Sequence, residues 1–265
     1  MCPKTEEKRG DPLEAVRQYQ RAAELDASEP YLFDWGAELL LHHAPEPAVQ
    51  VFTKGNSLYP KSARMLIGLG AAWFAGGTNE KAVDRICQAS DLNPQDATPY
   101  VFLGKMLRTE GRPSPDELEK LQRFVSLQPQ SAEANYYDAV ALWKSRKDAN
   151  DPVISQAESL LGNAVRLNPK FATAHLQLGI LHAEARDYAK AIADFQRAIA
   201  IDPQLEEAHF RLGQAYRQTG DLEKSKQELR IQQRLAQQSA QQVERERHEI
   251  RQFVYTLRDG AGQSH

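Results

Sequence analysis

Five prolines set the period of this chain. Leu58-Tyr59-Pro60, Leu92-Asn93-Pro94, Leu127-Gln128-Pro129, Leu167-Asn168-Pro169 and Ile201-Asp202-Pro203 each place a proline two residues after an aliphatic side chain. Successive prolines lie 34, 35, 40 and 34 residues apart. Proline lacks a backbone N–H and its ring clashes with the preceding turn, so each one closes a helical segment. A period near 34 with helical patterning inside it leaves room for two helices and two turns. That is the signature of a helix–turn–helix array.

The best unit runs from Ala172 to Leu205. Numbered from one, Leu178 is seventh, Gly179 eighth, Ala191 twentieth, Phe195 twenty-fourth, Ala198 twenty-seventh and Pro203 thirty-second. Small residues at the eighth, twentieth and twenty-seventh places let two antiparallel helices approach closely. Large residues at the seventh, eleventh and twenty-fourth fill the rest of the seam. The pattern returns at Trp35-Gly36, Ala48, Phe52, Gly55 and Pro60, and at Leu69-Gly70, Trp73, Ala82, Ile86, Ala89 and Pro94. Leu103-Gly104 opens another unit, and Leu212-Gly213, Tyr216, Ser225 and Leu229 close the series. Over about residues 11–235 the chain resembles the tetratricopeptide repeat family. The resemblance implies an all-α fold, a right-handed α-solenoid of helix–turn–helix repeats, to which the C-terminal sequence adds a long helix. Each pair leaves an apolar face that its neighbour covers.

The expected organisation is a disordered start over 1–10, a lone helix over 11–26, and repeats at about 29–62, 63–96, 97–131, 132–171, 172–205 and 206–239. Ala15, Tyr19, Ala22 and Leu25 match the second helix of a repeat with no first helix before them. Either a lone capping helix opens the array or the chain is a piece of a longer one, in which case an apolar seam is left uncovered at that end. The unit from Ala97 carries one extra residue and puts Glu117 where a small residue is expected. Its turn offers two caps for the next helix, Asp116, or Ser114 with Pro115 in the first helical place. The unit from Ala132 has six extra residues, placed between Ser145 and Ser155 as a longer turn. No Pro or Gly occurs from Leu222 to Asp259, so one helix of about 36 residues, ~54 Å long, is expected there. Its extension, 240–258, carries a sparse apolar stripe of Val243, Ile250, Phe253, Val254 and Leu257. A disordered tail, 259–265, follows.

Little in the chain speaks for chemistry. There is no P-loop, no Gly-X-Ser-X-Gly and no His-Glu-X-X-His, and the repeats consume almost the whole length. His175, His182 and His209 fall at places where the family has large aromatics, so they are expected to pack rather than bind metal. His42-His43 lies at a turn and is expected to face solvent. Cys87 falls on a regular helix position and is expected to be a small buried or half-buried residue. With Cys2 it makes neither a disulfide scaffold nor a zinc site. The expectation is a protein that is not an enzyme, with no cofactor and no metal. Lys plus Arg is 33 against 36 for Asp plus Glu, a net charge of −3, which does not call for nucleic acid. The longest uncharged stretch, Met65 to Asn79, is too short to span a bilayer. Without a leader the default compartment is the cytoplasm, with the periplasm open if the start is missing.

The resemblance further implies a concave wall made of the first helix of each pair. The family's ligand-facing places transfer here to Phe74, Val101, Phe102, Lys105, Arg108, Tyr136, Tyr137, Val140, Trp143 and Lys144. These form an aromatic and apolar centre with cations beside it. The last two units offer Leu176, Gln177 and Ile180, then Phe210, Arg211, Gln214 and Arg217. The family's carboxylate clamp is absent, since its places hold Ile67, Ala71, Phe102, Glu133 and Tyr137. Aromatic anchors beside cations suit a peptide bearing apolar and acidic side chains. The bland alternative is that tight stacking buries these aromatics as core. The expected function is a scaffold that binds a peptide or protein segment in the concave face. The alternatives are self-association through 240–258, or service as the recognition arm of a longer enzyme or membrane-attached protein.

Overall fold

The computed structural model describes residues 12–109, 111–148 and 151–239. The side chains of residues 12, 13, 108 and 109 are not among them, and neither are the expected terminal segments 1–10, 240–258 and 259–265. Among the described residues every regular element is a helix. The chain divides between Pro99 and Tyr100 into two compact units.

The first unit holds α1 (Pro12–Leu25), α2 (Glu29–Leu41), α3 (Pro45–Leu58), α4 (Ala63–Ala75) and α5 (Asn79–Leu92). The second follows α6 (Ala97–Thr109) from Tyr100 onward. It continues with α7 (Pro115–Leu127), α8 (Ala132–Ser145), α9 (Val153–Leu167), α10 (Ala172–Glu184), α11 (Tyr188–Ile201), α12 (Glu206–Gln218) and α13, residues 222–239. Helices α3, α5, α7, α9 and α11 end at Leu58, Leu92, Leu127, Leu167 and Ile201, each two residues before one of the five prolines. Serine caps then restart the chain. The Ser62 and Ser131 hydroxyls accept the amides of Met65 at 3.0 Å and Ala134 at 3.1 Å.

The seam within a pair is a close approach of glycine to a large side chain. A Cβ on Gly36, Gly70 or Gly179 would come within 2.6, 2.6 and 2.5 Å of Phe52, Ile86 and Phe195. Those three large residues occupy the twenty-fourth place and are buried to 1%, 0% and 0% exposure. In the first unit Val16, Leu32, Leu39, Phe52, Met65 and Leu69 form one core. Helix α1 turns Ala15, Val16, Tyr19 and Ala23 inward, and of its large apolar residues with described side chains Leu25 is exposed. Its outward face carries Arg17, Arg21 and Glu24, which are exposed. Cys87 is buried at 7%.

The turns inside the pairs come in two kinds. In four, the fifteenth residue of the unit is left-handed: His43, Gly77, Arg186 and Gly220 have φ of 56°, 76°, 62° and 86°. The other two are the irregular ones. Between α6 and α7, Ser114 caps α7 with Pro115 in the first turn and Glu117 closing a capping box. The Ser114 hydroxyl accepts the Glu117 amide at 3.2 Å, and the Glu117 carboxylate accepts the Ser114 amide at 2.8 Å. Glu117 thus replaces a small residue because it satisfies the helix end, at 2% exposure. Between α8 and α9 the described residues 146–148 and 151–152 lie outside any helix. Arg112 joins the two irregular turns, its Nη2 donating to the carbonyls of Ser145 at 2.6 Å and Arg146 at 3.1 Å.

Candidate partner-binding site

The expected wall residues are divided between the two units. Phe74 lies on α4 in the first unit and is half-buried. On α6, Val101 and Phe102 are half-buried and Lys105 is exposed, while the Arg108 side chain lies outside the described residues. On α8 three of the expected residues turn inward. Tyr136, Tyr137 and Val140 are buried, at 5%, 6% and 4% exposure. Tyr136 meets Tyr137 edge-on at 5.2 Å and lies 4.9 Å from Phe171. A Cβ on Gly104 would sit 2.1 Å from the Tyr137 ring, so that ring fills the space the glycine leaves between α6 and α8. The cause is the helix itself. From Ala134 to Leu142 every residue of α8 is buried, so this stretch presents no exposed face.

The last turn of α8 is spent on neighbouring helices. The Lys144 ammonium donates to the Leu107 carbonyl near the end of α6, where a cation satisfies a terminal carbonyl and the helix dipole. Trp143 donates its Nε1–H to Glu184 Oε2 at 3.0 Å. The Arg146 guanidinium lies 4.2 Å over the same ring and 3.1 Å from Glu184 Oε1.

An open cleft lies instead between α10 and α12, with a volume of about 490 Å³. Ile180, Phe195 and Ala215 line it as buried apolar surface. Tyr188, Arg211, Gln214, Arg217 and Gln218 line it as half-buried or exposed side chains. Position transfer had marked Ile180, Arg211, Gln214 and Arg217. Phe210, the residue before Arg211 on α12, is 39% exposed. A second cleft, about 510 Å³, is lined by Arg146, Lys147, Ile154, Leu181 and Glu184. Glu184 borders both.

Buried polar groups went beyond the sequence pattern. Asp138 is 4% exposed and its Oδ1 has no hydrogen-bond partner. Burial raises its pKa from 3.8 to about 6. It occupies the seventh place of its unit, where Leu69, Leu103, Leu178 and Leu212 stand in others. That exchange of a leucine for a carboxylate was the available signal. The histidines pack as expected but also hold polar contacts. His182 sits between Asp194 at 2.7 Å and Glu158 at 3.3 Å. Burial raises the Asp194 pKa despite that contact. His209, at 4% exposure, bridges Glu228 at 2.7 Å and the Pro203 carbonyl at 3.1 Å. His42 does not face solvent freely. It is half-buried and lies 2.9 Å from Glu38, itself 4% exposed. Among the described residues no group of three His, Cys, Asp or Glu side chains could hold a metal ion, and no helix is long and apolar enough to cross a membrane.

Paired helices, glycine seams and proline-closed turns define an α-helical repeat protein. The chain carries tetratricopeptide repeats: a family described as TPR repeat matches residues 187–220, and one described as tetratricopeptide repeat matches 206–237. A tetratricopeptide repeat protein from Parabacteroides merdae has a similar fold, with a TM-score of 0.68 at 12% identity over 95% of this chain and 96% of that one. MamA aligns with a TM-score of 0.51 at 24% identity, over 65% of this chain and 97% of its own. YrrB, described as a TPR protein with an unusual peptide-binding site, aligns with a TM-score of 0.51 at 20% identity over 72% and 95%. These likenesses concern the fold. No curated protein matches the sequence.

Proposed function

We propose that this protein is a non-catalytic scaffold that holds a peptide or protein segment against the first helices of its later repeats. The observation that carries the reading is the α10–α12 cleft. It combines an apolar floor of Ile180, Phe195 and Ala215 with exposed polar side chains from one face of α12. An apolar floor with a few placed polar groups is what a peptide groove requires. The half-buried Phe102 and exposed Lys105 on α6 remain a secondary contact region in this reading. The net charge of −3 favours a protein partner over nucleic acid.

Selection of binders from a random peptide library against the full chain tests the proposal. Selected peptides should lose about tenfold or more in affinity to a Phe210→Ala, Gln214→Ala variant of unchanged helical content. Undiminished binding to that variant would remove the cleft as the site.

A further inference from the structure

We propose that the α10–α12 cleft selects a segment carrying a carboxylate beside an apolar side chain. This rests on the scaffold reading above and adds the chemistry of the partner. The charges facing the cleft do not balance. Among its lining residues the cations are Arg211 and Arg217, and the acid is Glu184. Glu184 is already engaged from behind, with Oε1 on Arg146 and Oε2 on the Trp143 indole N–H. Its charge is therefore matched by a cation outside the cleft. Arg211 shares Glu207 at 3.1 Å in an exposed pair four residues apart, a weak contact that a ligand carboxylate exchanges readily. Arg217 is exposed and has no ion-pair partner among the described residues.

The stereochemistry supports the same occupant. Arg211, Gln214 and Gln218 are three and four residues apart, so they share one face of α12, and Arg217 adjoins them. Arginine forks bind carboxylates in a planar, two-point geometry. Gln214 and Gln218 supply both donors and acceptors, which suits the backbone of an extended chain. The apolar floor at Ile180, Phe195 and Ala215 takes the neighbouring side chain. A lysine-bearing segment would meet two guanidinium groups with no free acid to offset them.

Three fluorescein-labelled peptides on the full chain decide the matter, read by anisotropy at about 50 mM and about 200 mM salt. One repeats Asp-Leu-Gly four times, one Lys-Leu-Gly and one Asp-Ser-Gly. The Asp-Leu-Gly peptide should bind about tenfold or more tightly than either of the others, and more weakly at the higher salt. Arg217→Glu should cost it about tenfold, whereas Arg197→Glu, which reverses an exposed cation outside the cleft lining, should change it less than about twofold. Equal binding of the lysine peptide, or equal losses from the two reversals, would overturn the charge selection. If none of the three binds while library-selected peptides still require Phe210 and Gln214, the acidic–apolar inference fails and the scaffold reading stands. If library peptides also ignore the cleft, both fail.

Discussion

Asp138 costs this fold stability at neutral pH, and the cost has a defined pH dependence. The carboxyl is buried at 4% exposure, has an unpartnered Oδ1, and holds its proton up to about pH 6 in the folded state against 3.8 ordinarily. Below 3.8 both the folded and unfolded forms are protonated and no penalty exists. As pH rises, the unfolded chain ionises first, so stability falls. The fall continues until the folded form ionises too, and the full penalty, about 3 kcal/mol at about 1.4 kcal/mol per unit, is in place above pH 6. Replacing Asp138 with Asn removes the ionisation and keeps the shape. The expected gain over the wild type is about 3 kcal/mol at pH 7.5, about 1.6 at pH 5 and about 0.6 at pH 4. Asp138→Leu, which installs the residue seen at the seventh place elsewhere, should show the same pH-dependent gain. Urea unfolding followed by circular dichroism reads the midpoints, compared at a common slope. A gain that stays constant within about 0.5 kcal/mol from pH 4 to 7.5 would refute the reasoning, because the carboxyl would then titrate alike in both states.

Three other outcomes follow from the packing. Gly104→Ala drives a Cβ to 2.1 Å from the Tyr137 ring and should cost about 1–3 kcal/mol, partly recovered by Tyr137→Ala in the same chain; additive losses would contradict the contact. His43→Gly and Arg186→Gly relieve left-handed residues at φ 56° and 62° and should each add about 0.5–1 kcal/mol to thermal or urea stability. Ser114→Ala deletes one arm of the α7 capping box and should cost about 0.5–2 kcal/mol, measured the same way; no change would mean that Glu117 alone holds the helix start.

The repeat architecture was legible because it is written in local rules. Proline closes a helix wherever it stands, so Pro60, Pro94, Pro129, Pro169 and Pro203 mark helix ends without knowledge of tertiary contacts. The glycine–aromatic seam is nearly as local, since Gly36 and Phe52 or Gly179 and Phe195 lie within one pair. The wall was less legible because transferring positions assumes that each first helix keeps an open face. Helix α8 does not. Apart from Glu133, Asn135 and Asp138 its stretch Ala132–Trp143 is made of alanine, aliphatic and aromatic residues, and that near all-round apolarity, readable in the sequence, outweighed the position rule. Lys144 could not be placed from sequence, because its acceptor is a carbonyl 37 residues away. The α10–α12 cleft was half legible. Ile180, Arg211, Gln214 and Arg217 were marked by position, but the small Ala183 and Ala215 that help line it were not singled out.

Trp143 has a further consequence, an optical one. Of the three tryptophans, Trp35 and Trp73 belong to the first unit and Trp143 alone to the second. Its indole is bonded to Glu184, a residue of the cleft wall, and lies under the Arg146 guanidinium. With Trp35 and Trp73 changed to Phe, the tryptophan emission of the chain comes from this one ring. A segment entering the cleft and drawing Glu184 toward or away from it alters both the hydrogen bond and the charge that set the ring's emission wavelength. Occupancy can then be followed without a label, by light from a side chain already in place.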